Sequence, residues 1–149
     1  LLTHMTPTGR ETGAALFGDS VLQCYLPYDQ PCAAARFLER FRPVTGVLIE
    51  TEIWPNLIHA AAARDIPLYL VNARLSARSQ AGYRRSGTLA REALRALTGI
   101  TAQTEEDAAR LRELGAAEVM VTGNLKFDIE VPADQVAAGR ELRAGLGSR

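Results

Sequence analysis

The chain has 149 residues, 47% of them hydrophobic, and its 17 basic residues balance 17 acidic residues, so its formal net charge is zero. A chain of this length predicts one globular domain that buries roughly 70% of its unfolded surface. The charge balance excludes a global positive field that would attract nucleic acid, so any anionic partner must meet a local patch.

Short apolar segments alternate with longer amphipathic segments, a pattern typical of a parallel α/β fold. The pattern predicts strands at residues 1–5, 21–26, 46–50, 67–72, 99–103 and 118–122. It predicts helices at residues 8–17, 31–41, 55–64, 77–97, 105–114 and 133–146. We therefore predict a doubly wound, Rossmann-like α/β domain whose six strands form one open parallel sheet. None of the apolar segments reaches the length of about 18 residues that a membrane-spanning helix requires.

Residue types at the predicted helix ends agree with this assignment. Pro31 and Pro55 suit the first turn of a helix, and Thr104 with Asp107 resembles an N-terminal cap. Gly115 is predicted to end the helix at residues 105–114.

The pattern also predicts how the chain divides. Residues 1–131 are predicted to form one domain that is incomplete at its N-terminus, because the sequence begins inside an apolar strand pattern. Residues 132–149 are predicted to form a helix and a linker toward a further domain.

In an open parallel sheet, ligands bind outside the carboxyl ends of the strands, where loops and helix N-termini present unpaired N–H groups. Polar loops follow each predicted strand, at residues 6–9, 27–29, 50–52, 72–74, 103–105 and 123–126. The alternative is that these residues cap helices and form turns without binding a ligand.

The densest group of such residues lies at positions 50–56, where Glu50, Glu52 and the single Trp54 share one predicted strand-to-helix turn. A Trp beside carboxylates suits the face of a sugar and its hydroxyl groups, and two nearby carboxylates favour a general-base role for one of them. Alternatively, the two glutamates stabilise a helix N-terminus through its dipole while Trp54 packs against the core.

An arginine-rich stretch follows at residues 74–95, where Glu92 is the single acid. The predicted helix there would present a positive face suited to phosphate groups or an anionic lipid surface. The alternative is a solvated helix face in an arginine-rich protein. Nucleic acid is not the favoured partner, because Tyr83 is the only aromatic residue in the stretch. The arginines are Arg74, Arg78, Arg84, Arg85, Arg91 and Arg95.

The histidines and cysteines predict no metal site, because their spacing matches no known ligand set. His59 is predicted to pack within a helix. His4, at the end of the first predicted strand, is open to a binding role.

Five segments, in this order, resemble the Kdo (3-deoxy-D-manno-octulosonic acid) transferases of lipopolysaccharide synthesis: residues 3–9, 25–29, 50–56, 70–76 and 122–128. The resemblance implies the acceptor-side, N-terminal half of a two-domain GT-B glycosyltransferase. It implies inverting transfer of Kdo from CMP-Kdo to lipid A or its precursor, without a metal or other cofactor. It also places the general base, a carboxylate, and a membrane anchor upstream of Leu1.

The resemblance also implies roles for residues of this sequence. Glu52 is the candidate essential acid, with Glu50 as its supporting neighbour. The candidate acceptor-binding residues are Thr6, Thr8, Gly9, Trp54, Asn56, Asn72 and Arg74. Asn124 and Lys126 are expected to face the donor across an interdomain cleft.

The expected partners are a lipid A precursor, CMP-Kdo and an anionic membrane surface, at the cytoplasmic face of the bacterial inner membrane. We expect the chain alone to be inactive and to self-associate. Two rival interpretations are another nucleotide-sugar enzyme with a similar Rossmann-like half, and a non-catalytic α/β module that binds an anionic lipid or a sugar.

Overall fold

The computed structural model describes residues 1–50, 52–85, 87–128 and 133–145. The strands are β1 (Leu2–His4), β2 (Gln23–Tyr25), β3 (Gly46–Ile49), β4 (Leu68–Ala73), β5 (Gly99–Ala102) and β6 (Met120–Val121). The helices are α1 (Pro7–Phe17), α2 (Pro31–Phe41), α3 (Pro55–Ala62), α4 (Ala77–Arg85), α5 (Thr88–Ala96), α6 (Glu105–Leu114) and α7 (Ala133–Gly145). Short 3₁₀ turns lie at Gly18–Ser20 and Leu125–Asp128.

All strand pairs are parallel and helices connect most of them, which confirms the predicted Rossmann-like α/β class. The prediction of one six-stranded sheet is wrong for the described residues. β1 pairs with β2 in a two-stranded sheet, and a four-stranded sheet has the order β3-β4-β5-β6. The physical reason is that a cleft separates β1 from β3, so these two strands form no hydrogen bonds with each other.

The predicted helix ends are confirmed. α2 and α3 begin at Pro31 and Pro55. The N–H of Asp107 donates to Thr104 Oγ1 over 3.1 Å at the start of α6, and Gly115, with φ of 113°, ends that helix in the left-handed region.

The single helix predicted at residues 77–97 is wrong. The structure has two helices there, α4 and α5, and Gly87 before α5 has φ of 66°. A left-handed residue cannot continue a right-handed helix, and glycine adopts that conformation at little cost.

The core lies between the four-stranded sheet and helices α3, α5 and α6. Leu70 of β4, Leu94 of α5 and Leu111 of α6 are among its largest fully buried side chains. Every fully buried member of the core cluster comes from Ala34 onward, and Leu26 packs only against its margin.

α7 confirms the helix that was predicted after residue 132. The side chains of residues 134–145 in this helix are all exposed. The predicted domain boundary at residues 131–132 lies outside the described residues, so the division at that point stays a prediction. Within the described ranges, no helix has both the length and the apolar character needed to cross a membrane.

Candidate functional site

A cavity of about 390 Å³ opens at the carboxyl ends of β1 and β3. It brings together Gly9, Glu52 and Trp54, three residues that the sequence predicted to lie at the site. His4 and Met5 also line it, so the loop after β1 and the loop after β3 form opposite walls. The predicted crevice at this edge of the sheet is therefore present.

Glu52 and Trp54 contribute a charged and an apolar wall to this cavity. The Glu52 side chain is exposed, whereas Trp54 is half-buried and packs against the core. Burial, and then the negative charge of Glu52, raise the pKa of Tyr83 on α4. The Glu52 carboxylate thus lies within electrostatic range of Tyr83 as well as at the cavity.

The N-terminus of α3 is capped by Asp29, a residue of the loop after β2. Its carboxylate accepts the Asn56 N–H over 3.0 Å and the Leu57 N–H over 2.9 Å. A carboxylate at this position accepts hydrogen bonds from two N–H groups that have no partner within the helix. Its negative charge also interacts favourably with the positive end of the helix dipole. The capping role that the sequence allowed for Glu50 and Glu52 therefore belongs to Asp29, which the sequence reading did not single out.

Asn56 also binds the loop after β2. Its Nδ2 donates to the backbone carbonyl of Asp29 over 2.8 Å. The structure thus gives Asn56 a contact between α3 and the loop after β2, and the acceptor-binding role stays a prediction.

A second group lies at the ends of β3 and β4. Glu50 and Asn72 both have left-handed backbone conformations, with φ of 64° and 53°. Such conformations are uncommon for residues other than glycine, and they cost of order 1–3 kcal/mol each unless the surroundings hold them. Glu50 directly follows β3, whereas Asn72 lies within β4 at a register shift, before Ala73 pairs with Ala102 of β5.

The loop at residues 123–126 is tied to both strand ends. Lys126 Nζ lies 3.8 Å from Glu50 Oε1, in an exposed ion pair. The buried Asn72 accepts the Leu125 N–H at Oδ1 over 3.2 Å, and Asn124 Oδ1 accepts the Lys126 N–H over 3.0 Å. Glu50 and Glu52 therefore face different neighbours: Glu50 faces Lys126, and Glu52 faces the cavity beside Trp54.

Three further predicted residues lie just after β1 and β4. Thr6 is the N-cap of α1, where its Oγ1 accepts the Gly9 N–H over 3.1 Å. Thr8 is exposed in the first turn of α1, and Arg74 is exposed just after β4. Thr6 thereby holds the turn that brings Gly9 to the cavity.

A family model described as 3-deoxy-D-manno-octulosonic-acid transferase (kdotransferase) matches residues 1–129. The chain belongs to the Kdo transferase family.

Three relatives show how far the similarity extends. The chain is 47% identical to the 3-deoxy-D-manno-octulosonic acid transferase of Bordetella pertussis, over 99% of this chain and 36% of that protein. It is 40% identical to the Haemophilus influenzae protein of the same name, over 85% of this chain and 30% of that protein. It is 32% identical to a bifunctional glycosyltransferase/methyltransferase of Fusobacterium nucleatum, over 98% of this chain and 23% of that protein. The chain thus spans about a third or less of the length of these curated relatives.

This Kdo transferase family chain carries its arginine-rich stretch on two helices. The predicted single helix is wrong, because Arg78, Arg84 and Arg85 lie on α4 whereas Arg91 and Arg95 lie on α5. Arg84 and Arg91 nevertheless line one cavity between these helices, and the predicted binding of phosphate or lipid by this stretch stays a prediction. Arg84 forms an ion pair of 2.6 Å with Glu113 of α6. The positive charge of α4 is therefore partly compensated by the neighbouring helix.

Asp107 of α6 binds the loop that follows β4. Its Oδ1 accepts the Leu75 N–H over 2.8 Å, and Arg110 Nη1 donates to the Leu75 carbonyl over 3.1 Å. The sequence predicted Asp107 as part of a cap but could not reveal this contact, which depends on packing between distant segments. It sets the path of the chain immediately after Arg74.

The two histidines differ in their surroundings, because His4 lines the cavity and His59 does not. His4 is buried, with Nε2 at 2.9 Å from Gln23 Oε1, and His59 lies half-buried within α3. Within the described ranges no three side chains of His, Cys, Asp or Glu form a cluster that could hold a metal ion.

Proposed function

We propose that this protein, in its full-length form, transfers Kdo from CMP-Kdo to lipid A or its precursor with inversion, and that this chain supplies the acceptor side. Membership of the Kdo transferase family supports the reaction class. The cavity lined by Gly9, Glu52 and Trp54 is the single observation that carries the acceptor-side assignment.

The chemistry of the cavity suits a sugar acceptor. The indole ring of Trp54 offers an apolar surface for a sugar face, and the exposed Glu52 carboxylate accepts hydrogen bonds from hydroxyl groups. Gly9 of α1 lines the opposite wall. In this proposal Thr6 and Thr8, beside Gly9 at the start of α1, contact the acceptor, and Arg74, just after β4, binds one of its phosphates. In this proposal Glu52 orients the acceptor hydroxyl or assists its deprotonation.

We assign the loop at residues 123–126 to the donor. Lys126 provides an exposed cation at the sheet edge, with its Nζ 3.8 Å from Glu50 Oε1. Asn72 acts as a positioning residue, because its side chain holds the Leu125 N–H and so fixes the loop that carries Lys126. A fixed positive group would stabilise the departing CMP phosphate in the transition state.

The test is a transfer assay with the full-length protein, CMP-Kdo and a lipid A precursor, comparing the wild type with Glu52→Gln. We expect Glu52→Gln to reduce kcat/KM by 10²-fold or more, the order of magnitude of a general-base contribution. Glu118→Gln is the matched control, since Glu118 is exposed between α6 and β6, away from the cavity, and should leave transfer unchanged.

Three outcomes would contradict parts of this proposal. Equal activity of Glu52→Gln and Glu118→Gln would remove Glu52 from the site. Binding of the lipid A precursor without any Kdo transfer by the wild type would favour the non-catalytic binding module. We also propose that transfer needs no metal or other cofactor, and loss of transfer in EDTA would contradict that.

We propose that the protein acts at the cytoplasmic face of the bacterial inner membrane. The exposed arginines of α4, Arg78 and Arg85, would add about 1 kcal/mol each of attraction to an anionic lipid surface. Sedimentation with vesicles tests this: binding to phosphatidylglycerol vesicles that weakens in Arg78→Gln/Arg85→Gln would support the proposal. Equal binding to neutral phosphatidylcholine vesicles would overturn it.

A further inference from the structure

His4 is buried at the end of β1, with one of its two ring nitrogens already engaged. Its side chain is 9% exposed, and Nε2 lies 2.9 Å from Gln23 Oε1 on β2. The Gln23 amide nitrogen donates to the Gly18 carbonyl over 3.5 Å, so the amide oxygen is the atom left for His4. That oxygen only accepts hydrogen bonds, and Nε2 therefore carries the ring proton. In the neutral ring, Nδ1 then holds a lone pair and is an acceptor.

Gly13 of α1 makes room for the bonded pair of His4 and Gln23. Gly13 is buried, and a Cβ atom there would lie 2.6 Å from Gln23 Oε1 and 2.6 Å from His4 Cε1, closer than such atoms approach in proteins. The Nε2 edge of the ring is thus enclosed between α1 and β2. This enclosure determines which nitrogen is left for another partner.

The Nδ1 edge of the ring lies at the cavity of about 390 Å³ that Glu52 and Trp54 also line. A Cβ atom added to Gly9 would lie 3.8 Å from His4 Nδ1, and Gly9 and His4 both line this cavity. Among the described residues, Nδ1 has no hydrogen-bond partner. Yet within this part of the chain no fully inaccessible side-chain nitrogen or oxygen lacks a partner. Nδ1 therefore has surface open to the cavity and an unused capacity to accept.

The opposite wall of the cavity also offers an acceptor. A carboxylate accepts hydrogen bonds and donates none, so Glu52 and His4 present acceptors from the β3 side and the β1 side. A ligand that satisfies both must bring two donors at separate positions. The hydroxyl groups of a sugar do so, whereas a phosphate dianion brings none and is repelled by the charge of Glu52. The cavity therefore suits a sugar ring of the acceptor rather than its phosphates.

We propose that His4 is an acceptor-binding residue, whose Nδ1 accepts a hydrogen bond from a hydroxyl group of the acceptor sugar on the wall opposite Glu52. Gln23 is a positioning residue, because its oxygen keeps the proton on Nε2 and so keeps the lone pair on Nδ1. This role rests on the proposed function, which assigns the cavity to the acceptor. It also gives a source of specificity. A sugar without that hydroxyl group would leave the buried Nδ1 unpaired, and sites built to bond a hydroxyl reject analogues that lack it.

Two substitutions of His4 distinguish the roles of the two ring nitrogens. Asn carries its amide atoms at the distance of Nδ1 from the backbone, whereas Gln carries them at the distance of Nε2. In the full-length protein, His4→Gln should raise KM for a lipid A precursor about tenfold, because the acceptor at Nδ1 is lost. His4→Asn keeps an acceptor there and should raise this KM by less than about threefold. KM for CMP-Kdo should be unchanged in both variants.

His59→Gln is the matched control, since His59 is half-buried in α3 and does not line the cavity. It should leave both KM values unchanged. A purely structural role for His4 gives the opposite order, because His4→Gln can still bond Gln23 and would be the milder change. The losses would then appear in kcat, through a smaller active fraction. That order overturns the proposal, as does an unchanged KM for the lipid A precursor in His4→Gln.

Where both variants fail to fold, nitrogen-15 NMR of the unsubstituted protein with labelled histidine gives the answer. We expect His4 to be protonated at Nε2 and its Nδ1 resonance to shift when the lipid A precursor is added. A proton on Nδ1, or a resonance that the precursor does not move, overturns the proposal. Failure of the proposed function is seen separately, because the wild-type protein would then transfer no Kdo, and the acceptor-binding role of His4 would fall with it.

Discussion

The two sheets are built by the same rule but are supported differently. In each, consecutive strands pair in parallel. In the four-stranded sheet, β4 lies between two partners and three of its six residues carry fully buried apolar side chains within the core. In the two-stranded sheet, His4 is the only buried residue of β1 and β2, and it is polar. Strand pairing is thus a local outcome of the sequence, whereas burial depends on what other segments place against the strand.

The largest expected effect is the loss of stability caused by Leu70→Ala in β4. Leu70 is 0% exposed, so the substitution leaves a cavity and should lower the free energy of unfolding by about 2–5 kcal/mol. Urea denaturation measures this. Leu22→Ala, at a residue next to β2 that is 63% exposed, should cost far less, and equal losses would contradict the contrast between the sheets.

Asp29→Ala should weaken the attachment of the two-stranded sheet to the rest of the domain. The variant removes the carboxylate that accepts the Asn56 and Leu57 N–H groups, and loss of such a cap costs about 1–2 kcal/mol. Hydrogen exchange should increase in the first 26 residues more than in β4. Asp19→Ala, at an exposed acid in the same part of the chain, is the control. A uniform increase across both sheets would mean that they unfold together.

The smallest expected effect is on the titration of Tyr83. Burial and the charge of Glu52 raise the pKa of Tyr83, so the folded protein retains its phenol proton at a pH where the unfolded chain, with a pKa near 10, has lost it. Stability should therefore fall as the pH rises above about 10. Glu52→Gln should lower the pKa of Tyr83 but leave it above its ordinary value, because burial is the larger cause.

Ultraviolet titration of phenolate, with Tyr83→Phe to identify the signal, measures this shift. Glu118→Gln should have no effect on it. An unchanged titration in Glu52→Gln would mean that the charge of Glu52 does not act on Tyr83.

The sequence predicted the elements well, because periodicity, proline and capping residues are local signals. All six strands, the first turns of α2 and α3, and the ends of α6 followed from them. The split of the sheet and the break before α5 did not follow. The first depends on which strand edges meet, and the second on the backbone angle of Gly87 within an otherwise helical pattern.

The candidate site shows the same contrast between features with local sequence signals and features that depend on distant contacts. The sequence placed Gly9, Glu52 and Trp54 at one edge, because loops after parallel strands share it, and the cavity unites them. It did not separate the surroundings of Glu50 from those of Glu52, and it allowed Asp29 only a general capping role, without the partners in α3 that the structure shows. Those facts depend on contacts between residues more than 20 positions apart, which no short pattern encodes.

The position of Asp29 also matters during synthesis on the ribosome. The segment that forms β1, α1 and β2 is translated before α3, whose N–H groups Asp29 caps. It is also translated before any fully buried member of the core. Until α3 has been translated, the nascent chain holds apolar strand segments with neither a core nor their later anchor. The segment of β1, α1 and β2 therefore leaves the ribosome before the residues that anchor it, and its apolar strands are open to association during that interval.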